Sequence, residues 1–192
     1  MDEDETTLYL SITGPIDDTN AALILKEIQE RLAKNYRYRK LHILLACPGG
    51  TVDGGIFLYD GLQRLPITVV THNVAFVNSI GVTIFLAGDE RYAEPYANFM
   101  LHGAAMSFGN SAADIPTLKD KLGELRHAEA RMKSIFRDRI HTSETTLRSF
   151  FASSRRDLSP SEALTYGFLT SLEVPLIPKD AKSRWIICTY KG

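Results

Sequence analysis

Residues 67–102 read ITVVTHNVAFVNSIGVTIFLAGDERYAEPYANFMLH. The β-branched run Ile67–Thr71 predicts a buried strand. Polar residues follow, and Asn78-Ser79 then leads into Ile80–Ala87, a nearly apolar segment of helix length that Gly88 ends. Strand, polar turn and buried helix make one βα unit. A serine in the first turn of such a helix lies where backbone N–H groups and the helix dipole can hold a developing anion. His102 closes the next short strand, Asn98–Leu101. Serine followed by histidine raises nucleophilic chemistry. The plain alternatives are an N-cap serine and a strand-end histidine satisfied by its neighbours.

The segments upstream repeat the same unit. Leu8–Ile12 reads as a strand ended by Gly14-Pro15. Asp17, Asp18 or Thr19 can cap a helix whose apolar face carries Ile24, Leu25, Ile28 and Leu32. Leu41–Ala46 is continuously apolar, the pattern of a strand buried on both faces of a parallel sheet. It runs into Cys47-Pro48-Gly49-Gly50, after which Ile56, Tyr59 and Leu62 mark a second helix. The βαβαβα rhythm predicts an α/β fold, with a mainly parallel sheet, helices on its faces and right-handed crossovers.

Downstream the character changes. Residues Gly103–Ala113 are small and read as a loop. A long helix starts near Asp114, tolerates Pro116 in its first turn, and carries Leu118, Leu122, Leu125, Met132 and Phe136 at helical spacing to about Ile140. That is longer than one small sheet needs, which makes the helix a candidate oligomer contact. Two shorter helices, Glu144–Ala152 and Pro160–Tyr166 behind the Ser159 cap, precede a terminal strand within Trp185–Tyr190.

Composition bounds the rest. The chain has 192 residues, 44% hydrophobic and 23% charged, with a formal net charge of -1. This suits one domain over residues 1–192 with a short acidic tail at 1–6, and gives no reason to expect nucleic acid or an anionic membrane as partner. No apolar run approaches the roughly 18 residues of a spanning helix. The two cysteines, Cys47 and Cys188, form neither a metal motif nor a disulfide framework, so a cytoplasmic location is expected.

Pro48-Gly49-Gly50 on its own reads as a tight turn, or as backbone that an oxyanion or substrate chain can approach closely. In order with Ser79 and His102, it resembles the Clp protease proteolytic subunit family, of the Clp protease/crotonase fold. The matching elements are Leu44–Gly50, then Val52, Gly54-Gly55 and Ile56–Asp60; Asn78-Ser79-Ile80-Gly81; Arg91-Tyr92, Pro95 and Met100-Leu101-His102; and Glu162-Ala163 with Tyr166-Gly167-Phe168. Together they span about residues 7 to 172.

The resemblance implies a serine endopeptidase acting on peptides or unfolded proteins, with no metal or organic cofactor. Ser79 would be the nucleophile and His102 the general base. The N–H groups of Gly50 and Ile80 would form the oxyanion hole. Gly49, Thr51 and Val52 would bind substrate, the last two as a strand beside the extended peptide. The family's triad aspartate falls about ten residues beyond His141-Thr142, where this chain has Phe151-Ala152-Ser153. The nearest acid is Asp157, which either completes the triad or pairs with Arg155 and Arg156. The resemblance also implies a homo-oligomeric ring, a heptamer or a stack of two. Only Met1–Thr6 precede the first strand, so docking to an ATP-driven unfoldase is not expected. Val77-Asn78 before the serine stand where the family has small residues, and would narrow the site. A weak or silent structural subunit is the alternative reading; an acyl-CoA enzyme of the crotonase type has no need for the Ser-His pair.

Overall fold

The computed structural model describes residues 6–106, 114–152, 155–178 and 184–190. At its centre three strands run parallel: β1 (Thr7–Thr13), β2 (Lys40–Cys47) and β3 (Thr68–Asn78), in register Leu10↔Ile43 and Ile43↔Thr71. Helix α1 (Asp18–Lys34) joins β1 to β2. Of the three candidate caps it uses Asp17, whose carboxylate accepts from Asn20 N–H while the Asn20 side chain accepts from Asp17 N–H. Helix α2 (Val52–Gln63), capped by Thr51, joins β2 to β3. The βα units are therefore as the apolar rhythm predicts.

Among the described residues the sheet gains β4 (Glu90–Ala93), β5 (Asn98–Leu101), β6 (Arg156–Leu158) and β7 (Arg184–Cys188), seven strands in the order β6-β5-β3-β2-β1-β7 with β4 also paired to β3. Strand β7 (Arg184–Cys188) lies parallel to β1, where the apolar tail predicted a terminal strand. Strand β3 runs seven residues past Thr71 because its polar residues are buried in the sheet instead of turning away from it. His72 and Asn73 are fully buried, and the Asn73 amide donates to Asn98 O at 2.8 Å. The first half of β3 pairs with β4 (Glu90–Ala93), the second with β5 (Asn98–Leu101), both parallel. Strand β6 (Arg156–Leu158) pairs antiparallel to β5, Met100 opposite Asp157 and Leu101 opposite Arg156.

Helix α3 (Ile80–Phe85) follows β3 and is wholly buried. Helix α4 (Ile115–Arg139) has Asp114 as N-cap and Pro116 in its first turn. Only its C-terminal half reaches the core, through Met132 and Phe136, whereas Ile115, Leu118 and Leu122 are exposed. Two arginines fasten that half over the site. Arg91, buried, donates to the carbonyls of Phe168 (2.7 Å), Gly88 (2.9 Å) and Gly167 (3.1 Å) and to that of Arg139 on α4 (3.4 Å). Arg139, at the end of α4, donates to Leu86 O (2.9 Å) and Gly88 O (2.6 Å). Helices α5 (Glu144–Ala152) and α6 (Pro160–Thr165, with the Ser159 capping box) complete the layer. Among the described residues no helix is long and apolar enough to cross a membrane.

Candidate active site

The junction between β3 and α3 is where the backbone departs from ordinary geometry. Ser79 has φ 55° and ψ −127°, and among the described residues it is the only non-glycine with positive φ. Such a conformation costs on the order of 1–3 kcal/mol and persists only where the surroundings impose it. Here the Ser79 N–H donates to Met100 O at 2.7 Å, which ties the turn to β5. Although Ser79 stands at the N-cap position, its side chain makes no capping hydrogen bond. The N-cap reading of this serine therefore loses its physical basis. The hydroxyl is presented on a sharp strand-to-helix turn, as a nucleophile needs.

Gly49 and Gly50 stand behind and beside it. A Cβ built on Gly49 would lie 3.0 Å from Ser79 Cβ and 3.5 Å from Oγ, and its φ of 124° also demands glycine. Gly50 forms a parallel bridge to Ile16: Ile16 N–H donates to Gly49 O (2.9 Å) and Thr51 N–H donates to Ile16 O (2.8 Å). That pattern turns Gly50's own N–H away from Ile16, and it has no hydrogen-bond partner among the described residues. A Cβ at Gly50 would sit 1.8 Å from Ile16 O. The first N–H of α3, on Ile80, likewise has no intrahelical acceptor. Gly50, Ile80, Ser79 and His102 line one cavity of about 80 Å³, closed by Leu101, Met132, Phe136 and Phe151. Behind it Cys47 is buried, its thiol pushed up to about 11 by desolvation, so it stays a neutral thiol there.

His102 follows β5 directly, and because β5 pairs with the end of β3 it enters the same cavity as Ser79. Its Nδ1 lies 2.5 Å from the Gly103 carbonyl oxygen. Among the described residues Ser79 Oγ and His102 share no hydrogen bond; in an unliganded site that contact is commonly loose.

Thr51 and Val52 lie differently from expectation, and Asp157 takes one of the two roles left open for it. Thr51 and Val52 are not a strand: Thr51 caps α2 and Val52 is its first residue. The reason is local, since the Thr51 N–H is spent on Ile16 O and its hydroxyl accepts from Gly54 N–H at 3.2 Å. Neither offers an edge to a peptide, although Val52 lines the cavity and Thr51 a neighbouring groove of about 560 Å³. Asp157 is not brought to His102. Arg155 grips both its oxygens, at 2.7 and 2.9 Å, and holds its carboxyl below the usual range. Sequence reading did not single out Met132, Phe136 and Phe151 as cavity lining, because an apolar residue facing a site has the same helical spacing as one facing the core.

A family model described as Clp protease matches residues 5–173. The chain belongs to the Clp protease family. It is 31% identical over 159 residues to the ATP-dependent Clp protease proteolytic subunit 2 of Thermobifida fusca (strain YX), covering 80% of this chain and 74% of that one. It is 29% identical over 163 residues to proteolytic subunit 1 of Leifsonia xyli subsp. xyli (strain CTCB07), covering 80% and 77%. Against proteolytic subunit 2 of Rhodococcus jostii (strain RHA1) identity is 29% over 135 residues, covering 68% and 66%. Family membership and the α/β architecture agree with the resemblance of the Pro-Gly-Gly, Ser and His motifs.

Proposed function

We propose that this chain is a serine endopeptidase of the Clp proteolytic-subunit type, hydrolysing peptides or unfolded proteins. The observation that carries the reading is the strained Ser79, held with no capping bond between the unpartnered N–H groups of Gly50 and Ile80 and beside His102. His102 Nε2 takes the Ser79 proton as Oγ attacks the scissile carbonyl, and returns it to the leaving amine. The Gly50 and Ile80 N–H groups receive the tetrahedral oxyanion. Water then attacks the acyl-enzyme with His102 again as base. The buried apolar wall of Met132, Phe136 and Phe151 favours an apolar side chain next to the scissile bond. The exposed edge Ile115, Leu118 and Leu122 of α4 supports assembly into a homo-oligomeric ring. The two free cysteines suit a cytoplasmic location.

One observation favours a second reading, a weak or silent subunit: Asp157 is occupied by Arg155, and among the described residues no carboxylate bonds His102. Treating the folded oligomer with a fluorophosphonate, mapping the adduct by mass spectrometry, and assaying hydrolysis of an unstructured fluorogenic peptide separates the two. The peptidase reading expects labelling at Ser79 that disappears in His102→Ala, together with turnover. An unlabelled Ser79 from neutral to alkaline pH would reject it.

A further inference from the structure

We propose that His102 is oriented through the main chain, with the Gly103–Ala104 peptide group clamped between its imidazole and the carboxylate of Glu129. This deepens the peptidase reading and rests on it. A carbonyl oxygen can only accept, so the 2.5 Å contact from Nδ1 to Gly103 O puts the proton on Nδ1 and leaves the lone pair on Nε2. That is the tautomer a base for Ser79 must have.

The peptide plane that carries this carbonyl also carries the Ala104 N–H, pointing the opposite way. The Ala104 N–H donates to Glu129 Oε1 at 3.2 Å. Fixing one end of a rigid planar group fixes the other, so Glu129 sets the direction of the Gly103 carbonyl. Glu129 is in turn held by Lys133, whose ammonium lies 2.8 Å from Oε2 one turn along α4 and over the Phe151 ring. The approach needs glycine, because a Cβ at residue 103 would lie 2.7 Å from Glu129 Oε1 and 2.6 Å from Phe151 O. The carboxylate also polarises the peptide group, making the carbonyl a better acceptor for the Nδ1 proton. Glu129 is thus a positioning residue that acts on the imidazole at one peptide group's remove.

The neighbouring strand offers no substitute. Strand β6 ends its pairing with Arg156 opposite Leu101, and the residue that precedes it is Arg155. Arginine has only donors, and this one is engaged with Asp157.

The test uses the full chain labelled with ¹⁵N at histidine, sedimented and examined by magic-angle-spinning NMR at a pH where His102 is neutral, with His102→Gln to assign the resonance. The rate of Ser79 phosphonylation is measured on the same samples. The expected result is His102 with hydrogen on Nδ1 in the wild type and in Glu129→Gln, whose amide oxygen still accepts from Ala104. Glu129→Ala shifts the tautomer towards Nε2–H and slows phosphonylation about 10²-fold, while Glu129→Gln stays within about tenfold of wild type. A wild-type His102 protonated on Nε2 overturns the proposal, and that reading needs no variant to fold. Wild-type rates in Glu129→Ala also overturn it. An unreactive Ser79 with His102 still protonated on Nδ1 sinks the peptidase reading and leaves the clamp standing.

Discussion

Replacing His42 with phenylalanine tests what the buried face of the central strands does to stability. His42 is 4% exposed and His72 fully buried. Their rings lie 5.6 Å apart, with Tyr9 stacked on the far side of His42 at 5.7 Å. His42 Nε2 has no hydrogen-bond partner among the described residues. His72 Nε2 is 3.2 Å from Glu94 Oε1 but lacks hydrogen-bond geometry. Burial, then His72 and Lys40, lowers the His42 pKa from 6.5 to about 4. Burial also lowers that of His72, against the pull of Glu94. Below pH 6.5 the unfolded chain therefore binds protons that the folded chain refuses, and stability falls with pH. Its contribution is whole above the unfolded value and is lost as pH falls towards about 4. Between about pH 7 and about pH 5, linkage for His42 alone amounts to about 2 kcal/mol, with His72 adding in the same direction. Urea unfolding at the two pH values measures it. His42→Phe should lose about 2 kcal/mol less than wild type over that interval. The readout is the difference between pH values, since the larger ring carries its own packing cost. An equal loss in both proteins would refute the assignment.

Ser79→Gly relieves the positive φ and should raise the unfolding free energy by about 1 kcal/mol over Ser79→Ala, with both unlabelled by fluorophosphonate; equal stability of the two would show that the turn stores no strain. Gly50→Ala drives a Cβ into the Ile16 carbonyl and should cost more than about 2 kcal/mol in chemical denaturation, with peptide turnover lost. Asp157→Asn should leave peptide turnover within about threefold of wild type, because the side chain spends itself on an exposed ion pair with Arg155; a loss near 10⁴-fold would return Asp157 to the catalytic machinery.

What could be read from the chain without coordinates was whatever its own neighbours determine. The apolar run Leu41–Ala46 has no choice but a sheet interior, and Asp17, Asp114 and Ser159 each find their helix within three residues. The pairing of Ser79 with His102 was legible because each ends a strand and those strands are adjacent. Properties set across the fold were not. His72 and Asn73 looked like a strand terminus, yet the sheet absorbs them. Thr51 looked free to extend beside a peptide, but Ile16, far back in the chain, had already taken its N–H. For Asp157 the sequence left two roles open, and the structure has the pairing with Arg155.

The least legible element is the one on which the proposed chemistry turns. A search for a triad looks for a side-chain carboxylate bonded to the catalytic histidine, and His102 has none among the described residues. What a base requires is narrower: an acceptor on Nδ1, fixed in direction. A peptide carbonyl meets the first requirement at every residue of every protein, so sequence cannot mark the one that matters. On the proposed reading the second comes from α4. Its C-terminal half is fastened by Arg139 to Leu86 and Gly88, and Phe136 and Met132 pack beneath it. Glu129 thereby comes to rest one helical turn before Lys133, against Ala104. On the proposed reading, a helix too long for the sheet it covers has two halves with separate duties. The exposed first half is available for assembly, and the second half, which buries Met132 and Phe136, carries the carboxylate that β6 does not supply to His102.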